Sequence, residues 1–325
     1  MNSTISVQHV SKWYGQVVAL SDVSCEIGPG VTALVGPNGA GKTTTMRVLT
    51  CFLPPTSGTV RIAGFDVLEQ PLEVKRRIGY LPESPPLYPE MEVTEYLTFV
   101  GRLKGIPKRD LKRRVDEVCD RCAIGEYRNK LISKLSRGYR QRVGLAQAII
   151  HNPDVLILDE PTAGLDPKQI IETRELIKSL AGEHTIILST HILSEVEQTC
   201  QHVIIINKGR LAAPPDTVEN LTRRLRGAES VAVEIEPRDG VPDAATAQRR
   251  LEQVAGVSRV LPRDGREGRL LFEVESLQGR QVRAELARAV VEAGWNLTEL
   301  RPVALSLEKI FLELTASEQA AGGAQ

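Results

Sequence analysis

The chain has 325 residues, a length typical of about two domains, and its 42% hydrophobic and 25% charged residues are typical of folded globular proteins. Its 41 basic and 41 acidic residues cancel, so no overall charge favours nucleic acid, an acidic partner or a membrane surface. The longest apolar run is four residues, as at 203–206, whereas a membrane-spanning helix needs about 18. With no secretory signal visible, we expect a cytoplasmic protein whose five cysteines are reduced.

Short apolar runs alternate with helical stretches from residue 5 to about residue 211, which predicts an α/β domain with a largely parallel sheet. Its main strands are predicted at 32–35, 155–158, 185–189 and 203–207, where Val, Ile and Leu run without polar alternation. The stretch from about 91 to 152 has no such strand and is predicted as an inserted helical subdomain. Its entrance, at 82–89, is too rich in proline for regular structure.

A glycine-rich loop follows the first of these strands, since residues 36–43 read GPNGAGKT and match GxxxxGK[ST]. A helix is predicted directly after it, over 44–53. Between a strand and a helix, the backbone N–H groups of such a loop curl around phosphate oxygens. In this chemistry Lys42 reaches the β- and γ-phosphates and Thr43 ligates Mg²⁺. The loop therefore predicts nucleotide binding.

Two features of the helical insertion have competing interpretations. Cys119 and Cys122 form a CxxC, but the apolar residues around them recur at helical spacing and no second Cys or His pair follows. Buried packing is therefore favoured over a zinc or redox site. The basic residues between 108 and 114 are interpreted as a solvated helix face, with contact to lipid headgroups as the alternative.

The apolar strand at 155–158 ends in two adjacent carboxylates, Asp159 and Glu160. Ligands of open α/β sheets lie at the carboxyl ends of the strands, so both side chains are predicted to lie near the phosphate loop. We expect Asp159 to hold Mg²⁺, directly or through water, and Glu160 to polarise the water that attacks the γ-phosphate. These motifs define a P-loop nucleotide hydrolase without deciding which one.

The composition changes after Arg210, so the α/β core is predicted over 1–213 and a linker over 214–227. Strands follow at 231–236, 257–262, 269–275 and 297–303, and helices at about 243–255 and 278–293. This βαββαβ order predicts an α+β ferredoxin-like domain over 228–314. A helix ending near Leu314 and a flexible tail over 315–325 are predicted to close the chain.

Further motifs distinguish between the classes of hydrolase. Residues 135–142, LSRGYRQR, resemble the signature of ATP-binding cassette (ABC) proteins, which is usually LSGGQ. Asp166 lies in a segment that resembles the family's D-loop, His191 resembles its switch histidine, and Tyr14 resembles its adenine-stacking aromatic. The resemblance covers about residues 5–213 in the family's order and spacing. The signature form, the YLPE sequence at 80–83 and residues 306–314 together resemble ATPases of ABC-2-type exporters, closest to the gliding-motility and copper-assembly subgroup.

The resemblance implies a composition for the ATP and Mg²⁺ site. The ATP-binding residues that it implies are Tyr14, Gly36, Pro37, Asn38, Gly39, Ala40, Gly41, Lys42, Thr43 and Thr44. It implies catalytic roles for Glu160, His191 and Glu83, and Mg²⁺ ligation by Thr43, Asp159 and Glu83. A second core would present Ser136, Arg137 and Gly138 to the γ-phosphate, with Asp166 in the D-loop.

The resemblance also implies partners, because ABC cores bind ATP head to tail and this chain has one phosphate loop and one signature. We expect a second copy of the chain, with a different ATPase subunit as the alternative. Separately encoded transmembrane permease subunits would attach the chain to the cytoplasmic face of the membrane, and no nucleic acid is expected. The permease is expected at the helical subdomain, where Leu87 and Tyr88 are either its contacts or simple packing. The competing hypothesis is a soluble ABC ATPase that acts on ribosomes or DNA-repair complexes.

Two residues depart from the family pattern. Arg137 replaces a glycine of the signature and is expected to add a cation near the opposing nucleotide. Glu83 stands where the Q-loop normally has glutamine, and a carboxylate accepts metal or water contacts but cannot donate as an amide does. Our hypothesis is that Glu83 keeps the metal-linked role.

Overall fold

The computed structural model describes residues 4–225, 230–236, 244–265, 269–277, 279–303, 307–308 and 311. They form two compact units, one up to Val218 and one from Glu219 onward. The strands of the first unit are β1 (Ile5–Tyr14), β2 (Val17–Ile27), β3 (Gly30–Val35), β4 (Ser57–Ile62), β5 (Phe65–Asp66), β6 (Ile78–Leu81), β7 (Val155–Asp159), β8 (Thr185–Thr190), β9 (His202–Asn207), β10 (Arg210–Leu211) and β11 (Asp216–Thr217). Its helices are α1 (Lys42–Leu49), α2 (Pro71–Arg77), α3 (Val93–Leu103), α4 (Lys108–Arg121), α5 (Arg137–Ile149), α6 (Pro167–Leu180) and α7 (Leu193–Thr199).

The main sheet of the first unit is mostly parallel, with the order β10-β9-β3-β8-β7-β6. The strands predicted at 32–35, 155–158, 185–189 and 203–207 are observed as β3, β7, β8 and β9. Every residue of β7 and β8 is buried, which explains their unbroken apolar sequence. Among the described strands of this sheet, only the short strands β10 and β11 run antiparallel to their neighbour, β9.

A second, antiparallel sheet precedes this core, with the order β2-β1-β4-β5. The sequence predicted the largely parallel sheet but not this second, antiparallel one. The long strands β1 and β2 pair with register shifts around Val10 and Lys12, and these irregularities interrupt the polar–apolar alternation on which a strand prediction depends. Ile5, Val7 and Ile27 pack in the same core cluster as Met46 and Ile206, so the two sheets and α1 share one core.

The inserted stretch contains α3, α4 and α5, as predicted. Cys119 and Cys122 are fully buried, and burial raises the pKa of the Cys122 thiol to about 12. This is the packing role that the sequence favoured. The side chain of Arg114 donates to the backbone carbonyls of Ile149 and Ile150, which fastens α4 to the last turn of α5. The helix that carries the signature is therefore anchored at its far end.

The second unit contains α8 (Val218–Leu225) for most of its length, β12 (Ser230–Glu236), α9 (Ala244–Glu252), β13 (Val257–Arg263), β14 (Leu270–Ser276), α10 (Arg283–Glu292) and β15 (Asn296–Val303). Its sheet is antiparallel with the order β13-β14-β12-β15, which is the ferredoxin-like arrangement. Phe272, Leu251 and Leu286 pack in its core. Helix α10 begins five residues later than predicted.

Within the predicted linker, Asp216 and Thr217 form β11 and pair with β9. Residues 226–227 of that linker, residues 228–229 at the start of the predicted second domain, the predicted helix end near Leu314 and the predicted tail at 315–325 lie outside the described residues. No helix in the described part of the chain combines the length and the hydrophobicity that crossing a bilayer requires.

Candidate active site

The phosphate loop leaves β3 and enters α1 with two glycines in the left-handed region, Gly39 at φ 78° and Gly41 at φ 111°. Side chains rarely adopt these angles, so the glycines of the motif are a backbone requirement. Lys42 is buried, and its Nζ donates to the carbonyl oxygens of Gly36 (2.8 Å) and Pro37 (3.3 Å). No described residue forms an ion pair with Lys42, so its charge is balanced only by carbonyl dipoles and suits an anion inside the loop.

Strand β8 connects the two halves of the predicted site, because it lies between β3 and β7. Two strand spacings place the ends of β3 and β7 roughly 10 Å apart. Asp159 ends β7 and is buried, and its Oδ1 accepts a hydrogen bond from the Ser189 hydroxyl at 2.5 Å. The Asp159 charge and burial both raise the pKa of Tyr80, with burial the larger cause.

Glu160 has an unusual backbone for a residue with a side chain, since its φ is 47°. Its N–H donates to the Ser189 hydroxyl at 3.0 Å and to the Ser189 carbonyl at 3.2 Å, which holds this conformation. The carboxylate of Glu160 is 15% exposed and lies beside His191, whose Nδ1 is 3.0 Å from Oε2. The structure therefore places the predicted base and the predicted switch histidine in contact.

The signature segment begins α5, and Ser136 is its N-cap. The Ser136 hydroxyl accepts from the N–H of Tyr139 at 3.4 Å. A Cβ on Gly138 would lie 2.5 Å from the Gln169 side chain, and a Cβ on Gly164 would lie 2.4 Å from Cζ of Arg137. The start of α5 is thus packed against the D-loop and the first turn of α6.

Asp166 has a local structural task in the D-loop. Its side chain caps α6 and accepts from the N–H of Gln169 at 2.9 Å. Arg137, expected near an opposing nucleotide, lies against Gly164 within its own chain. Its expected role toward a second copy stays a prediction.

Glu83 and Tyr14 lie at the outer parts of the predicted site. Glu83 is exposed, two residues beyond the end of β6, and β6 pairs with β7 so that Leu81 lies opposite Leu158. The two carboxylates Glu83 and Asp159 therefore follow neighbouring strands at the same sheet edge. Tyr14 ends β1 and is 44% exposed, and Lys12 Nζ lies over its ring, 5.6 Å from the centroid.

Three residues near the catalytic candidates were not predicted from the sequence. Ser189 bridges Asp159 and the backbone of Glu160, as described above. Thr162 and Glu195 are both buried, and the Thr162 hydroxyl donates to Oε2 of Glu195 at 2.8 Å. A polar residue near the end of an apolar strand, as Ser189 is in β8, is the one signal that pointed to any of them.

The residues present fit magnesium and a nucleoside triphosphate. The buried ammonium of Lys42, the left-handed glycines and the start of α1 form a cradle for phosphate oxygens. Oxygen donors for a hard cation lie at the same end of the sheet, on Asp159 at the end of β7 and on Thr43 in the first turn of α1. Thr43 is exposed, so its hydroxyl is available to a metal ion.

Comparison with known proteins identifies the family. A family profile described as "ABC transporter" matches residues 20–163. The chain is 30% identical over 323 residues to the daunorubicin resistance ATP-binding protein DrrA3 of Streptomyces coeruleorubidus, an alignment that covers 98% of each protein. The chain belongs to the ABC transporter ATP-binding proteins. It is therefore an ABC-type ATP hydrolase, as the motifs predicted.

Two further relatives of this ABC ATPase define the shared region. It is 41% identical over 214 residues to the bacitracin transport ATP-binding protein BcrA of Bacillus licheniformis, which covers 65% of this chain and 69% of the relative. A solved structure described as the ATP binding subunit of an ABC transporter superposes with a TM-score of 0.64 at 29% identity. That superposition covers 69% of this chain and 94% of the other, so the P-loop ABC fold of the first unit is confirmed.

Proposed function

We propose that the chain is the ATPase subunit of an ABC-2-type transporter. In this proposal two copies close head to tail on two molecules of MgATP and drive a separately encoded membrane protein. The observation that supports this proposal is that the phosphate loop and the signature segment lie at different places on the first unit. The phosphate loop lies against β2 and β9, where Cβ atoms on Gly36 or Gly41 would strike Ile206 and Ala19, whereas Ser136 and its neighbours lie against α6. One chain thus offers a phosphate cradle and a separate capped helix start for another chain's phosphate.

Each predicted residue has a task in the proposed reaction. Lys42 and the loop N–H groups hold the β- and γ-phosphates, and Tyr14 stacks on the adenine. Glu160 accepts the proton of the attacking water, and His191, in contact with its carboxylate, stabilises the γ-phosphate. Thr43, Asp159 and Glu83 would hold Mg²⁺, which would supply positive charge to the phosphates.

Across the interface, Ser136 and Gly138 of the second copy would contact the γ-phosphate through a helix start. ATP then joins the two copies, and hydrolysis releases them. The alternative of a different ATPase partner would use the same groups.

The membrane partner is supported by the relatives and by one exposed surface. Relatives are named for bacitracin transport and daunorubicin resistance, which suits an exporter subunit. A groove of about 350 Å³ lies between the α3–α5 insertion and the β6 edge, and its lining includes Phe52, Tyr80, Pro82, Pro86 and Val100. Phe52 is 71% exposed, so the groove presents a large apolar ring to a partner helix.

Tyr88 continues this apolar surface beside the groove. Its ring packs edge-on against Tyr96, with centroids 5.8 Å apart, and lies 5.7 Å from the ring of Phe99. It is nevertheless 45% exposed, whereas Leu87 is half-buried. Tyr88 therefore combines packing with an accessible face, which fits the proposed permease contact. The proposed location is the cytoplasmic face of the membrane, held there by the permease.

Co-purification tests the transport role. We expect the affinity-tagged chain, isolated from its own cells in mild detergent, to carry an integral membrane protein in stoichiometric amount. Phe52→Ala and Tyr88→Ala should lose that protein and keep ATP binding. Leu72→Ala is the matched control, because Leu72 is as exposed as Phe52 and does not line the groove. Recovery of ribosomal or DNA-repair proteins in place of a membrane protein would contradict the proposal.

A further inference from the structure

A buried carboxylate on α7 has no task in the proposed reaction. Glu195 is 8% exposed, and acidic residues are rarely buried at this level without a partner. Its partner is Thr162, itself 3% exposed, whose hydroxyl donates to Oε2 at 2.8 Å. The pKa of Glu195 is raised above its ordinary value, chiefly by burial and also by the charge of Glu160, although the Thr162 hydrogen bond and the charges of Arg174 and His191 act in the opposite direction. The carboxyl group thus lies within the electrostatic range of the catalytic candidates.

The Thr162–Glu195 hydrogen bond joins the same two segments that Glu160 and His191 join. Thr162 follows Glu160 by two residues, and Glu195 follows His191 by four. The outer contact, between Glu160 and His191, involves a histidine side chain that is 56% exposed, whereas the inner one is buried. A single contact would allow the two segments to rotate about it. The two contacts together fix both the distance between the segments and their relative orientation.

The segment held in this way consists of consecutive turns. The N–H of Ala163 donates to the Glu160 carbonyl at 3.0 Å, and that of Leu165 donates to the Thr162 carbonyl at 3.2 Å. Residues 160–166 carry the base at one end and the Asp166 cap of α6 at the other. Thr162 is a buried polar anchor between these ends, so its side chain determines where both of them lie.

Arg174 of α6 places a positive charge near the Thr162–Glu195 pair. Its charge acts on Glu195, and its Nε is buried without a hydrogen-bond partner in the described part of the chain. A positive group in this position favours the ionised carboxylate, which is the stronger hydrogen-bond acceptor. The Thr162–Glu195 contact joins the turns that follow β7 to α7, and Arg174 adds a charge from α6.

We propose that Glu195 is a positioning residue for ATP hydrolysis, acting through Thr162 to hold the turns between Glu160 and the D-loop against α7. The proposal deepens the proposed function and rests on the role of Glu160 as the base. It predicts a defect in turnover rather than in ATP binding, because Lys42 and the phosphate loop belong to β3 and α1.

A double-mutant cycle on the full chain tests this role. We expect Thr162→Val and Glu195→Ala each to lower kcat by about tenfold with KM for ATP within twofold, a loss that corresponds to about 1.4 kcal/mol of transition-state stabilisation. The double variant should be no slower than the slower single variant, because both changes remove one contact. Thr162→Ser and Glu195→Gln keep a donor and an acceptor and should stay within about threefold of the parent.

Gln198→Ala is the matched control on the same helix, since Gln198 is exposed. Independent, multiplicative losses in the double variant would overturn the proposal, and so would unchanged turnover or a raised KM with kcat retained. If Glu195→Ala does not fold, Thr162→Val against Thr162→Ser decides. Normal hydrolysis by Glu160→Gln would refute the base assignment separately, because the cycle reports only whether Thr162 and Glu195 act as one unit.

Discussion

The Nδ1 of His191 lies 3.0 Å from Oε2 and 3.1 Å from Oε1 of Glu160, so one imidazole nitrogen faces both carboxylate oxygens. The histidine is the exposed partner and the carboxylate the buried one. The imidazole therefore covers the side of the carboxylate that faces solvent. A substitution that removes the charge of Glu160 but keeps the shape of its side chain preserves the contact with His191. Such a substitution therefore tests proton acceptance on its own.

Glu160→Gln should abolish hydrolysis and preserve ATP binding. The amide still reaches His191 but cannot accept a proton, so we expect kcat to fall by at least about 100-fold. With ATP uncleaved, a dimer should accumulate, which size-exclusion chromatography with and without MgATP measures. Glu175→Gln, on the exposed side of α6, is the control and should behave as the parent. Hydrolysis at the parental rate would show that Glu160 is not the base.

Gly164→Ala should destabilise the first unit for two separable reasons. Gly164 has φ 68°, which costs about 1–2 kcal/mol for a residue with a Cβ, and that Cβ would lie 2.4 Å from Cζ of Arg137. Arg137→Ala removes only the second cause. In urea unfolding, the penalty of Gly164→Ala should therefore be smaller in the Arg137→Ala background. Equal penalties in both backgrounds would show that Arg137 does not press on the D-loop.

Glu83→Gln should leave ATPase activity within about threefold of the parent, because an amide oxygen still accepts from water or a metal ion. Glu83→Ala removes that acceptor and should lower kcat by about tenfold or more. Steady-state kinetics over a range of Mg²⁺ concentrations distinguishes the two variants. A collapse of turnover in Glu83→Gln would mean that the negative charge itself is needed at this Q-loop position.

The stability of the first unit should depend on His151 at mildly acidic pH. The pKa of His151 is lowered from 6.5 to about 4, chiefly by burial and also by the charges of Lys104 and Arg114 and the neighbouring His184, while its hydrogen bond to the Ile78 carbonyl acts in the opposite direction. Between these two values the unfolded chain binds a proton that the folded chain does not. The free energy of unfolding should therefore fall as pH drops from 6.5 to 4, and this contribution should be constant above 6.5.

His151→Gln removes the titrating group and keeps a donor for the Ile78 carbonyl. Relative to this variant, the parent should lose up to about 3 kcal/mol between pH 7 and pH 4. Urea unfolding of both proteins at several pH values in this range measures the difference. A parallel pH dependence in the two proteins would mean that His151 titrates normally in the folded state.

The sequence predicted those parts of the site that rest on local chemistry. The phosphate loop needs glycines at left-handed positions and a lysine directed into it. All of these residues lie within 36–43, so the structure of this segment is predictable from the local sequence. The unbroken apolar strands β7 and β8 were predictable for the same reason, because burial on both faces leaves no polar alternation.

Contacts between distant segments were not predictable from one sequence. Thr162 and Glu195 are 33 residues apart, and neither residue type nor spacing indicates that they meet in the interior. The position of the Arg137 guanidinium over Gly164 of its own chain was not predicted either, because the motif was considered alone. The shifted register of β1 against β2 likewise depends on pairing that a single strand does not encode.

Strand β8 and the residues directly after it contact both acidic residues of the candidate site. Ser189 holds Asp159 and the backbone of Glu160, and two residues later the same segment presents His191 to the carboxylate of Glu160. Because parallel pairing fixes β8 against β3 and β7 at once, Asp159, Glu160 and His191, the predicted metal ligand, base and switch histidine, are held relative to the same strand. A displacement of this strand would misalign all three groups together, so mutations on its buried faces should behave as active-site mutations although they touch neither nucleotide nor metal.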